Sequence, residues 1–579
     1  MPEKSNSGRG PFEAQAQAVA DWLDGAGSAF AQRLTTPGSD RKPYAWKLLG
    51  TEHLLGGAPA RLTLPLDFPA SPAEVHVDRG LCLTLPHVEE SGKLCLGSPS
   101  KPADYDSPAH AVADTLRDFE SFMAKSSDYG WVKDEFQRER LAYWARYCDA
   151  HTRRLGIPAP KVVQVVLQPF EGHVEGNLAG FSQGSKGQRS QLWLAAQGEL
   201  DGNVLAHRHG WAKGTLMRGQ ALFVQMPLDA KWSPSEWPNS LAELEQIVAE
   251  WSDHELSLVS WIEGKREDKP QPFLIVLVQG TVAFGYCLAP PLVPVLTTVR
   301  LIPVVIERVD ADWALARDHQ LTPLQVRRKK RVLMLGCGSL GAPVAELLAR
   351  AGIGRLTVVD KELFEPENTA RHILGFSSVN QSKALELAAR LSREIPGLSV
   401  RGHFALATSW LAHKVDDGDF DLILDCTGES SIRCLLSMLA STQLRSVDIA
   451  HLWMEPFCAA AHVVYLKPGD VWPSDDPADT LVNVASWPSD VRVHLPACGA
   501  GFHPYGASDV WQVAGFSVER LLAHLDGNVG CSTVWTWTRG VAFFEALGIE
   551  VKPGPLVPAS RSSFECAALE RPFRELQRG

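Results

Sequence analysis

Apolar residues between Phe12 and Leu34 recur at helical spacing, which predicts a helix. Short alternating runs follow: Ala45 to Leu49, Ala60 to Leu66 and Ala73 to Val77. Gly and Pro separate them, so they read as an antiparallel meander. After Ser107 the helical period returns through Val112, Leu116, Phe119 and Phe122. Helix, meander, loop and helix predict an α+β domain over residues 1–155. In residues 156–322, Val162 to Leu167 and Phe273 to Val278 read as strands, and Ser240 to Trp251 as a helix. The Trp, Pro and Gly content there suggests a folded, β-rich α+β connector domain without a catalytic signature.

From Arg331 the rhythm becomes strand, glycine turn, helix, strand. Arg331 to Leu335 is an apolar strand, Ala342 to Ala351 a helix, and Leu356 to Val359 a strand ending at Asp360. Lys383 to Ile395 is a helix, and Asp421 to Leu424 a strand ending at Asp425. This alternation predicts a parallel sheet covered by helices, a Rossmann-like α/β domain over residues 323–579.

Composition narrows the function classes. A chain of 579 residues is long enough for about three or four domains. A formal charge of −11 argues against a nucleic-acid grip. The basic run Arg327-Arg328-Lys329-Lys330-Arg331 reads as a solvated lead-in to a strand. Met1 to Pro11 is polar and has no secretory core, and no stretch approaches the roughly 20 apolar residues of a spanning helix. The eleven cysteines form no C-x-x-C pair, which argues against structural zinc and disulfides. A reducing cytoplasm is the expected compartment, and any reactive cysteine is expected to act alone.

Gly336-Cys337-Gly338-Ser339-Leu340-Gly341 would let backbone approach a phosphate at a helix N-terminus. Asp360 follows at the next strand tip, within reach of a ribose. These features alone fit a nicotinamide oxidoreductase equally well. Asn368, Arg371, Lys383 and Asp425 favour adenylyl transfer instead. A carboxylate attacks the α-phosphate and pyrophosphate leaves, so cations must neutralise oxygens and a carboxylate can hold Mg²⁺. Singly, Arg371 or Lys383 reads as a surface ion pair, and Asp425 as a helix cap.

Residues 331 to about 428 resemble the adenylation domain shared by ubiquitin-activating enzymes and bacterial ThiF-type enzymes. The resemblance rests on the glycine turn, Asp360, Asn368-x-x-Arg371, Lys383 and Asp425. It implies ATP and Mg²⁺, with Asn368, Arg371 and Lys383 on phosphates, Asp360 on ribose and Asp425 on the metal. It also implies a homodimer, and a substrate whose C-terminal carboxylate becomes an acyl-adenylate.

An acyl-adenylate needs an acceptor, and a thiolate suits it. Cys498 sits among small residues in Leu495 to Pro504, where His503 could move a proton. Cys337, Cys426, Cys434, Cys458 and Cys531 stand in apolar settings and read as small buried hydrophobes. Cys95 lies in Leu85-Pro86-His87-Val88-Glu89-Glu90-Ser91-Gly92-Lys93-Leu94-Cys95-Leu96. With Arg61 to Pro69, this resembles the active-site region of ubiquitin-conjugating enzymes. Gly92 and Cys95-Leu96 match that family. Its His-Pro-Asn element does not, since no Asn follows His87, which leaves the oxyanion role to His87 or to backbone N–H groups.

The order of conjugating-like, connector and activating domains resembles the fused enzymes of type II CBASS antiphage operons. That implies activation of a ubiquitin-like protein or of a cyclic-oligonucleotide synthase C-terminus. Transfer to Cys498 and then Cys95 would follow, ending on target lysines, with neither nucleic acid nor membrane as partner. The alternatives are a sulfur-carrier adenylyltransferase with a non-catalytic N-terminal docking domain, a nicotinamide oxidoreductase, and a non-enzymatic scaffold.

Overall fold

The computed structural model describes residues 13–34, 44–52, 57–97, 105–155, 162–183, 190–252, 254–265, 271–289, 300–316, 324–488, 491–494 and 501–576. The chain divides into two compact units, residues 1–202 with 214–307 and residues 203–213 with 308–579.

The first unit opens with the helix Glu13–Asp24, which buries Ala16, Val19, Ala20 and Leu23 along one stripe. It is shorter than the apolar spacing suggests. A Cβ at Gly27 would sit 2.9 Å from Leu23 Cα, and past the glycines Ala31–Arg33 turns into a strand pairing with Trp46 to Leu48. Tyr44–Leu48, Arg61–Leu64 and Glu74–His76 complete a four-stranded sheet in sequence order. The helix Pro108–Ser126 packs its Val112, Phe119 and Phe122 into the same core as Trp46, Leu62 and Val75.

Residues 162–308 build a closed barrel. Its strand order is Val282–Ala289, Arg300–Arg308, Val162–Val166, Ser190–Gln197, His173–Gln183, Thr215–Gln225 and Phe273–Gln279. Every residue of Phe273–Gln279 is buried, because both faces of that strand are covered. Leu274, Val276 and Val278 join the interior of Val163, Val165, Phe223 and Val304. Phe273, Ile275 and Leu277 face the other way and share a core with Phe136, Tyr143, Trp144 and Cys148. Those four come from the helices Tyr129–Arg138 and Arg140–Leu155, the last of the α+β segment. Trp144 Nε1 donates to Val304 O at 3.0 Å. The position expected as a boundary, 155/156, lies within one compact unit, whose helices and barrel share a common core.

The second unit carries an eight-stranded sheet. Ser399–Phe404, Arg355–Asp360, Arg331–Leu335, Leu422–Asp425 and Asp448–Met454 run parallel in that order. Ala460–Leu466, Thr533–Arg539 and Cys566–Pro572 extend it antiparallel. Val332 and Met334 enter one core, Leu333 and Leu335 the other, so helices cover both faces. The arginines of the basic run before this sheet are held by ion pairs, whereas Lys329 is exposed, as expected of a solvated lead-in. Arg327 is buried and pairs with Asp526 at 2.5 Å, while Arg331 lies 3.3 Å from Asp421. No helix among the described residues is long and apolar enough to cross a membrane.

Candidate active site

The strand order reverses between Arg331–Leu335 and Leu422–Asp425, and a ligand crevice opens at such a switch point. Here a cleft of about 140 Å³ is lined by Gly336, Gly338, Asp360, Glu362, Thr427 and Glu429, among others. The three glycines do different things. Gly336 takes φ +84°, which only glycine adopts without strain. At Gly338 a Cβ would meet nothing within 4 Å, so this is the position where a ligand can come against bare backbone. At Gly341, expected to touch the nucleotide, a Cβ would lie 2.2 Å from Gly336 O; this glycine serves helix–strand packing.

Asp360 holds the turn. Its Oδ2 accepts Cys337 N–H at 2.8 Å and its Oδ1 accepts Glu362 N–H at 2.7 Å. His372 supports the turn from beneath. Leu374 N–H donates to its Nδ1 at 3.0 Å, so Nε2 carries the proton and donates to Cys337 O at 2.7 Å. Burial pushes the His372 pKa down to about 4, which keeps the ring neutral.

Lys383 is the first residue of its helix, after the N-cap Ser382, and is buried. Its Nζ meets Glu362 Oε2 at 2.6 Å, and Glu362 reaches the cleft wall. Arg371 Nη1 donates to His503 O at 3.1 Å, and its guanidinium lies 4.6 Å from the centroid of the Tyr505 ring. Tyr505 Oη is 2.7 Å from Ser339 Oγ, which ties residues 503–505 to the glycine turn. Burial, chiefly, lowers the His503 pKa. Asn368 Oδ1 caps its own turn by accepting Glu365 N–H at 3.0 Å.

Asp425 lies under the cleft, 1% exposed. Its Oδ1 accepts Thr427 N–H at 3.0 Å and Thr427 Oγ1–H at 2.6 Å; its Oδ2 is 3.0 Å from His451 Nδ1. Asp425 thus holds the turn at Thr427, while the N-cap of the following helix, Ser430–Thr442, is Glu429. Three of its roughly four lone-pair positions are engaged, which leaves room for one further contact. Among the described residues no group of three His, Cys, Asp or Glu could hold a metal ion. A bare-backbone turn with Lys383 and Arg371 nearby suits a nucleotide's phosphates. Mg²⁺, which binds through one or two carboxylates plus phosphates, fits only in that shared way.

Cys95 is exposed at the end of a hairpin whose Val88 and Leu94 are buried. Cys498 lies outside the described residues. Burial raises the thiol pKa of Cys337, Cys426 and Cys458, the last to about 12, so these make poor nucleophiles. Cys531, expected to be buried, is exposed. Glu362, His372, His451 and Tyr505 are contributors that the spacing of motifs did not single out. Only Glu362, two residues beyond Asp360, carried a local signal.

The chain is thus a mixed α/β protein with a switch-point cleft in its second unit and an α+β segment ahead of it. Residues 314–449 match the ThiF family, and residues 20–152 match the prokaryotic E2 family B. The chain joins a segment of each kind. It is similar to the ATP-dependent ubiquitin transferase-like protein Cap2 of Pseudomonas aeruginosa, at 28% identity over 238 residues, 39% of this chain and 42% of that one. Cap2 of Enterobacter hormaechei is 34% identical over 131 residues, 22% of this chain and 21% of that one. The adenylyltransferase and sulfurtransferase MOCS3 of Mus musculus is 32% identical over 185 residues, 29% and 38% of the two chains. The matches thus span less than half the length of these curated relatives. A solved structure of Escherichia coli MccB aligns with 42% of this chain and 68% of its own, at 13% identity and a TM-score of 0.30, too slight a likeness to bear on function.

Proposed function

We propose that this chain is an ATP-dependent ligase that activates the C-terminal carboxylate of a ubiquitin-like protein or of a cyclic-oligonucleotide synthase. The acyl group passes to Cys498, then to Cys95, and finally to target lysines, in bacterial antiphage defence of the CBASS type. The protein acts in the cytoplasm as a homodimer. The observation that carries this reading is the conjunction of a switch-point cleft floored by Gly336 and Gly338 with an exposed Cys95 in an E2-like segment.

Each residue has a part in the cleft. Gly338 leaves the phosphates access to backbone N–H groups. Lys383 exchanges Glu362 for a phosphate oxygen, Arg371 supplies a second cation, and Asp360 offers its free lone pairs to the ribose. Asn368 turns its amide N–H toward phosphate while its oxygen keeps the cap. Mg²⁺, when bound through Asp425 and phosphate oxygens, supplies neutralisation of the charge that builds as pyrophosphate leaves. The carboxylate then attacks the α-phosphorus, and the resulting acyl-adenylate is open to the Cys498 thiolate. His503, kept neutral near pH 7 by burial, can accept the thiol proton.

The test incubates the chain with ATP and a glycine-terminated candidate from neighbouring genes, read on non-reducing gels. Two reductant-sensitive adducts are expected, one lost in Cys498→Ala together with all later products, the other lost in Cys95→Ala. If Cys95→Ala leaves every conjugate intact, the relay is wrong. The similarity to MOCS3, an adenylyltransferase and sulfurtransferase by name, favours a second reading. There the acyl-adenylate is delivered to a sulfur donor, and Cys95→Ala is silent.

A further inference from the structure

The E2-like segment has no asparagine beside its cysteine, and what stands there instead is unusual. His87 takes φ +62°, a left-handed conformation costly for a residue with a Cβ. Two contacts hold it so. Cys95 N–H donates to His87 O at 2.8 Å, and His87 N–H donates to Tyr143 Oη at 2.6 Å. Glu89 N–H bonds Lys93 O at 2.8 Å and Val88 pairs with Leu94, so His87 stands directly across the hairpin from Cys95. Residues opposed in this way have Cα atoms about 5 Å apart.

The imidazole is also constrained. Its Nε2 lies 3.5 Å from Glu135 Oε2 and its Nδ1 lies 3.6 Å from Glu139 Oε2. The rings of Phe122 and Trp131 flank it. Nδ1 is buried and makes no hydrogen bond. Both nitrogens thus face carboxylates rather than an oxyanion. The two carboxylates fix the orientation of the ring. Arg138 offsets part of Glu135 at 2.6 Å, whereas Glu139 is more open, with its side chain 43% exposed.

We propose that His87, oriented by Glu135 and Glu139, is the base that takes the proton from the acceptor amine. This rests on the reading of Cys95 as the conjugating thiol. The lysine ammonium gives one proton to His87, and the freed amine nitrogen bonds to the acyl carbon of the Cys95 thioester. The C–S bond then breaks, the amine's second proton goes to the departing Cys95 thiolate, the amide is complete, and His87 releases its proton to solvent. Strain at His87 is the cost of keeping the base beside the thiol, and the exposed Glu139 draws in a cationic lysine.

The test uses the full chain, loaded by exchange with the mercaptoethanesulfonate thioester of N-acetylglycine. Adduct absent from Cys95→Ala is assigned to Cys95, and its transfer to Nα-acetyl-lysine or to hydroxylamine is followed at pH 7 by intact-mass spectrometry. His87→Gln is expected to slow transfer to the lysine about 100-fold while leaving hydroxylamine, already uncharged, within about twofold. Glu139→Gln, at a half-exposed side chain whose amide oxygen can still accept from Tyr143 Oη, is expected to slow the lysine reaction about tenfold. Unchanged lysine rates in both variants, or equal slowing with both nucleophiles, overturn the proposal. A wild-type adduct that reacts with lysine no faster than the free thioester counts against Cys95 itself.

Discussion

At the scale of single residues, the glycine turn separates binding from stability. Gly338→Ala adds a methyl where nothing stands within 4 Å. The variant is expected to melt like wild type and to bind ATP about tenfold more weakly, a loss of about 1.4 kcal/mol, by calorimetric titration. Gly341→Ala drives a methyl against Gly336 O, and is expected to lose about 1–3 kcal/mol in denaturant unfolding. His372 gives a pH signature. Its folded pKa of about 4 lies below the ordinary 6.5, so the unfolded chain takes up the proton first as pH falls. Its contribution is therefore complete above pH 6.5 and lost between 6.5 and 4, in all about 3 kcal/mol. Denaturant melts at pH 7 and 5 should show a smaller difference for His372→Gln than for wild type; equal differences would remove His372 as the cause. The turn and Asp360 were legible because their chemistry is local in sequence. His451 and Tyr505 were not, since they reach Asp425 and Ser339 across 26 and 166 residues. Nothing in a strand or loop pattern marks such partners.

At the scale of elements, strands and helices of the second unit followed the hydrophobic period closely. Arg331–Leu335 and Leu422–Asp425 are short apolar runs because each buries both faces in a doubly wound sheet. Where period and breaker conflicted, the breaker won: Gly25 and Gly27 end the first helix well before Leu34. The basic run misled for a different reason, because charge in sequence does not disclose burial. Arg327 links the short helix Leu324–Arg327 to Asp526, the C-cap of Ala507–Leu525. Arg327→Met strands a buried carboxylate and is expected to lose about 3–5 kcal/mol. Arg327→Met with Asp526→Leu should recover most of that, and a double variant no more stable than the single would show that the charge was not the issue.

At the scale of the whole molecule, family resemblance carried the order of segments, but not where compact units divide. An apolar run looks the same in sequence whether it is buried within a domain or against the next one. Phe136, Tyr143, Trp144 and Cys148 needed the barrel to explain them. A fragment of residues 1–155 would expose that face, whereas residues 1–307 cover it. The longer fragment is expected to give one cooperative calorimetric transition, and the shorter to aggregate or melt broadly. A sharp, soluble transition from 1–155 would mean the shared core is dispensable.

That core also sets a schedule for biosynthesis. Trp144 leaves the ribosome 160 residues ahead of the Val304 carbonyl it will bond. At synthesis rates of about 5–20 residues per second that is a wait of about 8–30 s, during which the first domain is finished except for one oily flank. Over that interval the nascent chain offers chaperones a defined target, and crowding by sister chains on the same message is when this protein is most open to misassembly.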